Sequence, residues 1–274
     1  MTISPLRVFN VGTAQAEIYS SKVTASNAAA AKATSILSNG KVISSGDRFR
    51  IVVGTGNSQE DMVKRLVQTP SIDWNRIEVF HMDEYVGMPA SHPASFRRWL
   101  KTHLVDVVHP SQIHYLDSDA IDLEGECRRY EKLLCSGPID ICFLGFGENG
   151  HIAFNDPPNA DFHDPLVVKR VCLDEKCRIQ QVGEGHFPSL ESIPREALTI
   201  TCPFLMSARN LICCVPEYRK AKAVRDALEG PISPSCPASL VRTHPQTFIF
   251  LDTKSASLLS IIPQESGIQS YPKV

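Results

Sequence analysis

The chain has 274 residues, 43% of them hydrophobic and 21% charged, a composition that fits a globular protein with a sizeable core and excludes a disordered or fibrous chain. Its 28 basic and 30 acidic residues leave a formal charge of −2. That balance excludes the broad basic footprint of a nucleic-acid binder, a polyanionic tail and a basic membrane-surface patch, and leaves room only for a local basic pocket.

The opening MTISPLRVFN lacks the charged segment and long apolar core of a secretory signal. No stretch approaches the roughly 18 continuous apolar residues of a membrane span. The nine cysteines are odd in number and form no Cys-x-x-Cys pair. Several sit in apolar runs, as in Ile141-Cys142-Phe143 and Ile212-Cys213-Cys214-Val215, where a free thiol acts as a small hydrophobe. A reduced, cytoplasmic protein is expected, with no membrane or nucleic-acid partner.

In chain order, the residues before the first Gly-rich loop read as a strand and an Ala-rich helix over 21–37, with Gly40 as its stop. Strands are predicted at 49–53, 77–81, 139–144, 198–201, 211–215 and 247–251. Most are nearly continuous in apolar residues, as strands buried on both faces of a parallel sheet must be. Between them, Met62, Val63, Leu66 and Val67 share a helical face after Ser58. Cys127, Tyr130 and Leu134 share another in 122–134. Ala221, Val224, Ala227 and Leu228 share a third, which Gly230 would close in a left-handed turn. This repetition implies an α/β protein with a doubly wound, mostly parallel sheet and helices on both faces. Residues 155–186, rich in Pro, Asp and Gly, break the alternation and read as a loop-rich excursion over the sheet; 155–190 are the candidate mobile cover. A single α/β domain over 1–262 and a loose tail over 263–274 are expected.

Open parallel sheets bind ligands beyond the carboxyl ends of their strands. Three polar segments fall at such ends: Gly54-Thr55-Gly56-Asn57-Ser58, His81-Met82-Asp83-Glu84-Tyr85, and Gly145-Phe146-Gly147-Glu148-Asn149-Gly150-His151. Any one of them alone reads as a turn; three together point to a site. The first leads into a helix and suits a phosphate, through backbone N–H groups and the Thr55 and Ser58 hydroxyls. No Gly-Lys-Ser/Thr follows, so it is not a Walker loop. Residues 145–150 spell G-x-G-x-x-G, but a dinucleotide site needs a helix at the third glycine, and Pro157 would end any helix there. His151 and Asp156, with Glu148 and Asn149 beside them, combine an imidazole able to give and take protons with groups that could orient it. Asp83, followed by Glu84, could act as a base on a carbon acid if partly desolvated. A metal site from His81, Asp83 and His151 lacks supporting ligand spacing, and none is expected.

Phe80-His81-Met82-Asp83-Glu84-Tyr85-Val86-Gly87-Met88-Pro89, continued through His92-Pro93-Ala94-Ser95-Phe96, resembles the signature of the glucosamine-6-phosphate deaminases (isomerases). The run from Leu144 through His151 to Pro157 is similar to that family's second signature, and residues 194–201 and 220–224 follow in the family's order. The resemblance spans residues 45–255. It implies a Rossmann-like fold and conversion of glucosamine 6-phosphate and water to fructose 6-phosphate and ammonia, with no cofactor. By matching positions, Asp83 would take the C2 proton and return one at C1. His151 would move the proton that opens the pyranose ring, with Asn149 and Asp156 assisting, Glu84 and Glu148 supporting, and Lys220 with residues 54–58 holding the phosphate.

Two positions depart from the family pattern. Asn149 stands where many members carry Asp, so Glu148 or Asp156 would have to supply the charge beside an imidazolium. Asp156 stands where Glu is usual. Some members also place an arginine where this chain has Glu184, with Arg178 the nearby substitute. The rival readings are a 6-phosphogluconolactonase, which would share the phosphate loop and His151, and a sugar-phosphate sensor without turnover. A homo-oligomer is left open.

Overall fold

The computed structural model describes residues 4–39, 48–157, 159–183, 185 and 187–261. The expected helix stop at Gly40, the Glu184 position and the tail at 263–274 lie outside the described residues. In chain order the elements are β1 (Arg7–Val11), β2 (Ala14–Tyr19), α1 (Lys22–Asn39), β3 (Phe49–Val53), α2 (Glu60–Val67), β4 (Ile77–His81), β5 (Asp83–Tyr85) and α3 (Phe96–Leu100). A π-type turn at Lys101–Val105 leads to α4 (Asp106–Val108), β6 (Gln112–His114), α5 (Leu123–Leu134), β7 (Ile141–Leu144), β8 (Val168–Cys172) and α6 (Glu175–Gly183). The chain then forms β9 (Glu196–Ile200), α7 (Cys202–Leu205), β10 (Leu211–Val215), α8 (Ala221–Glu229) and β11 (Thr247–Asp252).

Eight strands form the main sheet in the order β1-β2-β11-β10-β7-β3-β4-β6. All neighbours are parallel except β1 and β2, an antiparallel hairpin at one edge. The period-two alternation of side chains divides each buried strand between two cores. Phe49, Ile51 and Val53 of β3, with Ile141 and Phe143 of β7, face α1 and α2. Val52, Cys142 and Leu144 face the opposite way, towards Cys127, Tyr130 and Leu134 of α5 and Val224, Ala227 and Leu228 of α8. The buried alanines of α1, Ala25, Ala29 and Ala33, allow that helix to lie close to the sheet. The expected doubly wound architecture with helices on both faces is therefore present. From β3 the chain proceeds outward through β4 and β6, and from β7 through β10 and β11, so the reversal of strand order falls between β3 and β7. A crevice opens at the carboxyl ends of strands at such a switch point.

Four local expectations are corrected. The N-terminal region holds a two-stranded hairpin before α1, not one strand. The run at 198–201 joins no parallel sheet: β9 is the centre of a separate antiparallel sheet, β5-β9-β8. The excursion at 155–186 contains β8 and α6, whose short polar-rich stretches conceal their periodicity. Gly230 ends α8 with φ −75° and ψ 179°, an extended conformation, while its N–H donates to the Asp226 carbonyl at 3.1 Å. Among the described residues no helix is long and apolar enough to cross a membrane.

Candidate active site

The three polar segments converge. A cleft over the β3/β7 switch point is lined by residues 54–58, by Met82 and Asp83, by Gly145, Phe146, Gly147 and His151, and by Lys220. Lys220 arrives from the turn after β10, next to β7 in the sheet.

Asp83 opens β5, and the antiparallel pairing of Asp83 with Thr199 of β9 fixes its backbone at the cleft floor. The residue is buried, with only 6% exposed, in a cleft whose wall also carries Met82, Phe96 and Phe154. Burial, reinforced by the neighbouring Glu84, pushes the Asp83 carboxyl up to about 8. Glu84 faces away from the cleft. Its carboxylate accepts the backbone N–H groups of Tyr85, Phe96 and Arg97 and the Ser95 hydroxyl, tying β5 to the first turn of α3. Glu84 thus supports Asp83 by bracing its strand, although burial still holds the Glu84 carboxyl above its usual value. His81, two residues before Asp83 at the end of β4, is fully buried and driven down to about 3 by desolvation and by the charge of Arg97, so it remains neutral.

After the third segment the chain makes tight turns over 151–157 instead of the helix a dinucleotide would need. Gly147 is indispensable there: a Cβ on it would lie 2.2 Å from the His151 ring. His151 Nδ1 sits 2.9 Å from Asp156 Oδ1, so the carboxylate lies directly beside the imidazole. The Asn149 amide donates to the same carboxylate oxygen at 3.0 Å, and its carbonyl oxygen accepts the His151 backbone N–H at 3.0 Å. Burial alone would raise Asp156, but His151, the Asn149 amide and the Asp174 N–H outweigh it and hold the carboxyl below its usual range. Asp156 therefore supplies the negative charge beside the imidazole, and Asn149 orients both. Glu148 does not serve here. It is exposed and turned towards a neighbouring depression, leaving only its backbone N–H to bond Gln180 at 2.8 Å.

At the other end of the cleft, Gly56 adopts φ +100°, which turns the chain between β3 and α2. The helix begins at Glu60, with Gln59 and not Ser58 at its cap. The Gln59 amide stitches the loop together, donating to the Ser58 hydroxyl at 3.0 Å and to the Cys214 carbonyl at 3.1 Å. The buried Thr55 hydroxyl has no hydrogen-bond partner among the described residues, so an oxygen-rich ligand can engage it. Lys220, 4% exposed, provides the buried cation.

Several cleft residues carry no local sequence signal. Gln180 and Gln181 reach the cleft from α6. Arg219 also lines it, beside Glu217, whose carboxylate bonds Arg219 at 2.8 Å and Lys22 at 2.8 Å; Lys22 in turn donates to the Asn57 carbonyl at 3.0 Å. Arg219 adjoins Lys220 in the chain, the one hint available. Arg178, the nearby substitute, is not among the residues that line the cleft, and its guanidinium donates to the backbone carbonyl of Leu190 at 2.5 Å.

Residues 21–249 match the family model described as glucosamine-6-phosphate isomerases/6-phosphogluconolactonase. A glucosamine-6-phosphate deaminase of Listeria welshimeri is 32% identical over 228 residues, covering 83% of this chain and 94% of the relative. The solved structure of a monomeric glucosamine-6-phosphate deaminase superposes with a TM-score of 0.79 at 30% identity, covering 89% of this chain and 99% of that one. A 6-phosphogluconolactonase from Thermotoga maritima shares the fold, with a TM-score of 0.69 at 19% identity and coverage of 86% and 98%. This chain belongs to the glucosamine-6-phosphate isomerase/6-phosphogluconolactonase family.

Proposed function

We propose that this protein is a deaminating aldose–ketose isomerase that converts glucosamine 6-phosphate and water to fructose 6-phosphate and ammonia. One observation carries the reading: a single cleft holds a desolvated carboxylate, a histidine–aspartate pair and an anion-binding loop with a buried lysine. The phosphate is held by residues 54–58 and Lys220, and Arg219 stands close enough in the cleft wall to join them. His151, oriented by Asp156 and Asn149, transfers a proton between the ring oxygen and the anomeric hydroxyl, which opens the pyranose to its aldehyde.

Asp83 then removes the C2 proton, made acidic by the C1 carbonyl, and returns it to C1 of the resulting enolamine. The product carries an imine at C2. Water adds to that carbon, the C–N bond breaks, and ammonia leaves as the ketone forms. Burial makes Asp83, once ionised, a stronger base than an exposed carboxylate, as proton removal from carbon demands. All nine cysteines are free thiols, which suits the reducing cytoplasm as its location.

The direct test is to incubate the purified protein with glucosamine 6-phosphate and measure ammonia and fructose 6-phosphate, with acid release from 6-phosphogluconolactone measured in parallel. Equimolar ammonia and ketose are expected. Lactone hydrolysis without ammonia would replace the reading with the lactonase, and binding without either product would make the protein a sensor.

A further inference from the structure

The histidine–aspartate pair has a third neighbour with no part in the proton chemistry. Ligating atoms of His151, Asp156 and Cys177 lie within 4.8 Å of one another. Asp156 and Cys177 are 0% and 1% exposed, whereas His151 borders the cleft. His151 Nδ1 is buried and faces into the cluster, 2.9 Å from Asp156 Oδ1.

A nitrogen, a carboxylate oxygen and a thiol sulfur at one point form a donor set for a borderline-soft dication. Tetrahedral zinc holds such ligands at about 2.0–2.3 Å, which separates the ligand atoms by about 3.3–3.6 Å. In the present arrangement Nδ1 and Oδ1 are 2.9 Å apart and all three ligand atoms lie within 4.8 Å, so the side chains would adjust about the ion to reach that. The set rests on two pieces of backbone: the 151–156 turns and α6, which carries Cys177. The Asn149 amide donates to Asp156 Oδ1 at 3.0 Å and orients it, as an outer partner of a ligating carboxylate does.

We propose that His151, Asp156 and Cys177 form an inhibitory zinc-binding site, with the fourth coordination position open to the cleft. Neutral His151 ligates through Nδ1 with its proton on Nε2, and the Cys177 S–H proton passes to solvent. Asp156 and the thiolate then balance the dication. Occupancy removes His151 from proton transfer and fastens α6, with Gln180 and Gln181, against the cleft wall. The softness of the thiolate favours zinc over magnesium or calcium, which prefer oxygen ligands.

Cobalt(II) added to the whole metal-free protein provides a readout that does not depend on which reaction the cleft catalyses. At one equivalent it should give the intense visible bands of a tetrahedral ion and a near-ultraviolet thiolate-to-cobalt charge-transfer band, both abolished by zinc. Cys177→Ser should lose the charge-transfer band, while Cys135→Ser and Cys172→Ser, at exposed cysteines, should retain it. His151→Gln, altered at the cleft edge, should lose the tetrahedral bands and keeps the test decisive if Cys177→Ser fails to fold. Zinc should also slow turnover of the wild type at concentrations at least tenfold below those needed for Cys177→Ser. Absence of a charge-transfer band in the wild type, or its survival in Cys177→Ser, overturns the site.

Discussion

Asp83 lies opposite Thr199 in the β5/β9 ladder, and the Thr199 hydroxyl accepts the Phe154 backbone N–H at 3.1 Å. One buried residue of β9 therefore braces both the strand that carries the carboxylate and the turns that carry His151. Asn155 reinforces the link by donating its side-chain amide to the Ile200 carbonyl at 2.9 Å. Thr199→Val keeps the shape and deletes the acceptor. Leaving a buried N–H unpaired costs roughly 1–3 kcal/mol. Denaturant unfolding should register that loss, and kcat should fall more than KM rises, because the displaced geometry concerns proton transfer and not phosphate binding.

Asp83→Asn should abolish deamination, by about 10²–10⁴-fold or more, since an amide cannot carry the proton between carbons. Calorimetric titration with glucosamine 6-phosphate should still show binding near the wild-type affinity. Near-normal turnover in this variant would remove Asp83 from the role of base.

The same carboxylate makes stability depend on pH. Its folded-state value of about 8 lies above the ordinary 3.8, so the native state holds a proton that the unfolded chain has released. Linkage then gives stability that is fully present below about pH 4 and is lost as pH rises towards 8. Between pH 5 and pH 8, thermal unfolding of the wild type should show this decline, superimposed on the other titrations. Asp83→Asn should flatten it, and the difference between the two curves isolates the contribution.

Lys220→Ala should raise KM for the phosphorylated sugar tenfold or more, with kcat less affected. Loss of a buried, charge-assisted contact to an anion is worth about 1.5–3 kcal/mol. An unchanged KM would take Lys220 out of the phosphate site.

Gly147→Ala tests the seat of the imidazole. The added methyl would collide with the His151 ring at 2.2 Å, while Gly147 itself makes ordinary turn hydrogen bonds. The ring must rotate away from Asp156. We expect a fall in kcat of at least tenfold with thermal stability near that of the wild type, read from steady-state kinetics and calorimetry.

What the sequence by itself determined was the parallel sheet and the three loops at its strand ends. Strands such as 141–144 and 211–215 are buried on both faces and apolar throughout, and that requirement is written locally in the chain. The polar residues that follow them, including Asp83, His151 and residues 54–58, stand out by contrast. Only the tertiary structure decided how these segments are held and charged. Asp83–Tyr85 is too short to show a strand period, and its partner β9 lies more than a hundred residues later, so their pairing depends on long-range register. For the same reason the choice of Asp156 over Glu148 beside His151, and the approach of Gln180, Gln181, Cys177 and Arg219, follow from how the turns fold back on one another. Residue type alone does not contain that distance information.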